Sequence, residues 1–144
     1  MDGPRGASVA GVKGLRVYQL AYKTAMEVFR HSRSFPPDER YSLVSQIRRS
    51  SRSVPANVAE GYRKRQYPAM FSSKLADADA EATETGVWLD FARDCGYLTP
   101  EVHQELTAVA AKRIIVEPST SKEQRRSANP ASCRGGRILP TAYS

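Results

Sequence analysis

Residues 71–92 read FSSKLADADAEATETGVWLDFA. Within them Phe71, Leu75, Ala78, Ala82, Thr85, Leu89 and Ala92 follow one another at alternating steps of four and three. That alternation lines seven side chains along one seam of an α-helix. A seam of this period packs at the shallow crossing angles of helical bundles. The ends carry their own signals: Pro68 suits an early helical position, and Gly96 after Cys95 suits a C-terminal stop. Trp88 and Phe91 lie off the seam, where they either widen the buried face or form a second contact surface.

Upstream, a second helix is predicted from about Asp38 to Arg65, with Leu43, Ile47, Val54 and Val58 on its inner side. Pro55 lies inside it and removes a donor from the carbonyl of Ser51, which predicts a kink, because the apolar phase continues to Val58. Ser50, Ser51, Ser53, Ala56 and Ala59 are small enough to let a neighbouring helix come close. Before it, Leu15, Tyr18, Tyr22, Ala25 and Phe29 give a first amphipathic helix from Leu15 to about Ser34. Pro36 and Pro37 end that helix. Downstream, Thr99-Pro100-Glu101 reads as the N-cap, first residue and dipole-favoured acid of a fourth helix running to about Val116. Four helices with short connections predict an all-α, antiparallel up-down four-helix bundle over residues 14–116. Residues 1–13 read as a flexible N-terminus. Residues 117–144, rich in Ser, Arg, Pro and Gly, have nothing to build a core with and read as a disordered tail.

In a chain of 144 residues, no apolar run reaches the ~18–20 residues of a membrane helix. Met1 to Gly14 lacks the apolar centre of a secretory signal. Cys95 and Cys133 cannot build a disulfide framework, which together with these absences predicts a soluble cytoplasmic protein. The net charge is +7, and its placement is informative. From Arg40 to Arg65 there are seven basic residues and one acid, whereas from Asp77 to Asp94 there are six acids and one base. The two segments either face each other or present opposite surfaces to different partners.

Enzyme signatures are not found. His31 and His103 have no second His or Cys at ligand spacing, and the Glu-x-x-His pattern of a di-iron bundle does not occur. Phosphate loops, dinucleotide loops and nucleophile elbows do not occur either. The expectation is therefore no catalytic residue, no metal and no cofactor. The signal that remains is basic: Arg48 and Arg52 are one turn apart, Arg49 is beside them, and Arg63, Lys64 and Arg65 follow near Tyr62 and Tyr67. Guanidinium groups near aromatic rings suit phosphates and unstacked bases. The alternative is a solvated face with some arginines paired to acids of the third helix. Asn57 and Glu60 lie near the apolar phase of the second helix. A structural role suits both, Asn57 by donating to a carbonyl near Pro55 and Glu60 by pairing with an arginine.

The run from Phe35-Pro36 through Glu39, Leu43, Gln46, Arg48 and Arg49 continues into Ser53, Pro55, Asn57, Ala59, Glu60 and Gly61. It resembles the signature of bacterial four-helix-bundle proteins called 23S rRNA intervening-sequence proteins. Glu84-Thr85, Trp88-Leu89, Ala92 and Gly96-Tyr97-Leu98 look like that family's third helix and the turn after it. The resemblance covers about Leu15 to Leu106. It implies a bundle without enzymatic activity that assembles as a ring-like homopentamer. It also points to a relationship with accessory proteins of diversity-generating retroelements, which partner a reverse transcriptase and bind nucleic acid through a basic surface. The residues carried over are Gln46, Arg48, Arg49, Pro55, Asn57, Glu60 and Gly61. Of these Gln46, Pro55, Asn57, Glu60 and Gly61 are expected to be structural. The chain departs from the family at its end, where Lys112-Arg113-Ile114-Ile115-Val116-Glu117-Pro118 gives way to a Ser/Arg/Pro segment in place of apolar residues, which would shorten the fourth helix and weaken a ring interface built on it.

Overall fold

In the computed structural model residues 9–110 are described, and the expected end of the fourth helix at Val116 and the 117–144 tail lie outside them. The described residues form α1 (Val9–Lys13), α2 (Arg16–Ser32), α3 (Leu43–Arg63), α4 (Pro68–Asp94) and α5 (Pro100–Ala110), with a 3-10 turn at Pro37–Glu39. No strand occurs among them. Helices α2 to α5 are the four expected ones. Each packs on the next, and α5 returns to α2, which closes an up-down four-helix bundle.

Local chemistry sets the helix ends. Gly96 adopts φ +78°, and the amides of Tyr97 and Gly96 donate to the carbonyls of Ala92 and Arg93 at 2.8 and 2.9 Å. That is a Schellman closure, which needs a left-handed residue and so favours glycine. The hydroxyl of Thr99 accepts from the amide of Val102 at 3.3 Å and caps α5.

Two expectations are corrected here. The second helix starts at Leu43 rather than Asp38. Glu39 reaches forward to accept from the Leu43 amide at 3.3 Å and the Ser42 hydroxyl at 2.5 Å, while Tyr97 donates its hydroxyl to it at 3.1 Å. The acid that the sequence places in the first turn is instead the anchor holding that turn against the α4–α5 connection. The second correction is at the N-terminus, read above as flexible to residue 13, where Val9–Lys13 is helical and Val12 is buried.

The core has two parts. At one end Val28, Leu43, Val44, Ile47, Leu89 and Leu106 bring all four long helices together, with Trp88 packed against them. At the other, Val12, Val54, Val58, Ala78 and Ala82 join α1, α3 and α4. Between them Thr85 Oγ1 lies 2.9 Å from Ser50 Oγ and 2.8 Å from the Glu81 carbonyl, so these buried hydroxyls are satisfied where α3 and α4 approach. A Cβ on Gly61 would stand 3.1 Å from Lys74 Cβ, so the close contact of the two helices continues past Pro55. Pro55 is buried inside α3, which runs unbroken past it. Asn57 Nδ2 donates to the Ser53 carbonyl at 3.0 Å.

Candidate nucleic-acid interface

The six basic residues singled out on the second helix divide by the neighbour each one faces. Residues 48 and 49 are separated by about 100° around a helix, enough to turn one toward α2 and the other toward α4. Arg49 turns toward α4, where it donates to Glu81 at 3.2 Å and Glu84 at 2.5 Å. Trp88 Nε1 also donates to Glu84 at 3.1 Å. The hydrogen bond from Arg49, then that from Trp88, holds the Glu84 carboxyl below its ordinary range, and the hydrogen bonds to Glu84, then to Glu81, raise Arg49. The expected pairing of basic and acidic segments is thus made by this arginine, and its charge is spent inside the protein.

Arg48 and Arg52 turn the other way, toward the end of α2. Arg48 Nε donates to Ser32 Oγ at 2.8 Å, and its guanidinium carbon sits 4.8 Å from the centre of the Phe29 ring. Arg52 and Arg33 lie 5.6 and 6.0 Å from the same centre. Burial first, then repulsion from Arg52 and Arg33, lowers the pKa of Arg48, although an arginine remains charged at neutral pH. Among the described residues no carboxylate lies within ion-pair distance of any of the three.

Eleven residues beyond Arg52, Arg63 returns to nearly the same side of α3, about 16 Å along the axis. It is exposed, and among the described residues it forms no ion pair. Arg65 folds over its neighbour Tyr62 at 4.3 Å and donates to the Tyr62 carbonyl at 3.0 Å. Lys64 is half-buried and helps to hold Glu60 low. From Arg52 an open groove of about 360 Å³ runs between α2 and α3, lined also by Tyr18, Tyr22, Met26, Pro55 and Ala59. Tyr22 is 54% exposed and its ring centre lies 6.1 Å from that of Tyr18.

Tyr18, Tyr22, Phe29 and Arg33 were not among the expected site residues, because the first three were assigned to the core stripe of the first helix. Their chemistry was a usable signal: aromatic rings at helical spacing that end on an arginine are rim material as much as core. Tyr67, expected beside the basic run, is exposed.

Of the remaining motif residues, Glu60 is paired within the bundle and Gln46 is not. Glu60 pairs at 2.8 Å with Lys74 of α4 rather than with an arginine, because α4 is the helix that closes over this end of α3. Gln46 is exposed and lines a second groove with Leu43, Trp88, Phe91 and Cys95. Trp88 widens the buried face while Phe91 stays 54% exposed. Among the described residues no group of three or more His, Cys, Asp or Glu is placed to hold a metal ion, and no helix is long and apolar enough to cross a membrane.

Four carboxyls are held below their ordinary values: Glu39, chiefly by the Ser42 hydroxyl; Glu60, by Lys74; Glu84, by Arg49; and Asp94, by Arg93. A carboxyl that ionises more readily when folded contributes stability above its unfolded pKa. That contribution is lost as pH falls through the folded value. Stability is expected to be level on the neutral side of 4.5, the ordinary Glu value, and to decline below it. Thermal unfolding followed across an acid series checks this, and a melting temperature that does not change below that pH would contradict it.

The described residues thus form an all-helical bundle in which Arg33, Arg48 and Arg52 gather on one face with no carboxylate partner among the described residues. The chain belongs to the 23S rRNA-intervening sequence protein family, whose model matches residues 13–114. Among solved structures it is similar to a protein of unknown function from the S23 ribosomal protein family of Bacteroides thetaiotaomicron. The similarity has a TM-score of 0.58 and 26% identity, and it covers 65% of this chain and 87% of that one. No curated protein matches the chain.

Proposed function

We propose that the protein is a non-catalytic nucleic-acid-binding bundle that holds RNA or DNA phosphates on the face shared by α2 and α3. The observation that carries this reading is the contrast between neighbours. Arg49 is neutralised by two glutamates, whereas Arg33, Arg48 and Arg52 converge on one ring with no carboxylate partner among the described residues. Gathering like charges is costly, and a bound phosphate chain offsets that cost. Arg63 extends the basic face, and the exposed ring of Tyr22 offers a base a stacking surface. With four free arginines engaged, the logarithm of the affinity for single-stranded RNA should fall against the logarithm of salt with a slope of about −3, at roughly 0.7 per phosphate contact. A salt series by fluorescence anisotropy measures this. A slope near zero, or no binding at low salt, would remove the proposal.

The second reading is a cytoplasmic homo-oligomer, a pentamer by family resemblance, that acts as an adaptor, with a reverse transcriptase as a distant candidate partner. The exposed Tyr41, Val87 and Phe91 favour it, since they present apolar surface to solvent. Native mass spectrometry of protein purified without nuclease separates the two: a ring free of nucleic acid supports the adaptor, and bound RNA supports the first reading.

A further inference from the structure

We infer that Arg33, Arg48 and Arg52, gathered around Phe29, form a site for a phosphomonoester, supplied by the terminal phosphate of a nucleic-acid strand. This rests on the nucleic-acid reading above and narrows it from the strand's backbone to its end.

Charge and geometry carry the argument. Three guanidinium carbons lie 4.8, 5.6 and 6.0 Å from one ring centre, and Arg52 and Arg33 are both close enough to Arg48 to repel its charge. The face of Phe29 offsets part of their mutual repulsion. Glu27, the nearest acid along α2, is engaged by Arg30. An internal phosphodiester brings one negative charge to such a locus. A terminal phosphate brings nearly two, with three acceptor oxygens instead of two, and guanidinium groups bind such oxygens in pairs. Three cations gathered around one ring therefore favour the terminal group over the internal one.

Ser32 fixes the arrangement. Its hydroxyl accepts from Arg48 Nε at 2.8 Å and itself donates to the Phe29 carbonyl at 3.0 Å, so the central guanidinium is held in place while its two terminal nitrogens remain available. Arg52 also lines the groove that continues past Met26 to Tyr22 and Tyr18. A strand whose end phosphate sits on the arginines thus has aromatic surface in line for its first bases.

The test uses the full chain and three short single-stranded RNAs of one sequence, ending in a 5′-phosphate, a 3′-phosphate, or hydroxyls at both ends. Anisotropy at fixed salt should show roughly tenfold tighter binding of the phosphorylated strands, as expected for added charge-assisted hydrogen bonds. Arg33→Gln, which changes an exposed side chain beyond the end of α2, should erase that preference while the circular dichroism is unchanged. Arg63→Gln should weaken all three strands equally. Millimolar orthophosphate should remove the preference and leave the binding of the hydroxyl-ended strand. Equal affinity for the three strands would overturn end recognition and leave the nucleic-acid reading standing. A preference that survives Arg33→Gln would overturn the assignment to this triad. Orthophosphate binding with no strand bound would overturn the strand end as the source, and failure of every ligand would overturn both readings.

Discussion

Leu89→Ala is expected to lower the free energy of unfolding by about 3 kcal/mol, measured by urea denaturation followed through helical circular dichroism. Leu89 is fully buried and packs where Val28 of α2, Ile47 of α3 and Leu106 of α5 meet α4. Truncation there removes apolar contacts to every long helix at once and leaves a cavity that four mutually braced helices cannot close. Against the 5–15 kcal/mol typical of a domain, that is a large share. Leu75, four steps earlier on the same seam, is only half-buried, so Leu75→Ala should cost less than half as much. Equal losses at the two positions would show that the four helices do not converge on Leu89.

The double variant Arg52→Gln/Arg63→Gln is expected to weaken RNA binding tenfold or more at low salt and to flatten the salt slope by about 1.4, at roughly 0.7 per lost phosphate contact. Both side chains are exposed and form no ion pair among the described residues, so the fold should be unaffected. Arg49→Gln should do the reverse. The slope should stay unchanged, because that charge is already held by Glu81 and Glu84, and stability should fall by up to about 1 kcal/mol, as for a half-exposed ion pair. If Arg49→Gln flattened the slope as much as the double variant, the division of the arginines between an inner and an outer role would be wrong.

Most of the bundle was legible in the chain because its signals are local. Proline at the start of α4, glycine after its end and threonine before α5 act within a few residues, and each lies where its own backbone chemistry requires. The seam from Phe71 to Ala92 also named the buried side of α4, where Ala78, Ala82, Thr85, Leu89 and Ala92 are all buried. The start of α3 was not legible. Glu39 closes it with help from Tyr97, fifty-eight residues away, and no local pattern contains that hydroxyl. In the candidate site, Arg48, Arg49, Arg52, Arg63, Lys64 and Arg65 were named together, because no local pattern separates the arginine paired with α4 from those without a carboxylate partner, and the rings beside them were counted as core.

The sequence alone determined the class of fold, the bounds of α4, the α5 start and the presence of an excess of positive charge in one helix. These follow from periodicity, caps and composition, which are properties of neighbouring residues. Which arginines remain available was decided by tertiary structure. A helix presents adjacent residues about 100° apart, and only the placement of acidic α4 on one side of α3 and of Phe29 on the other separates a spent charge from a free one.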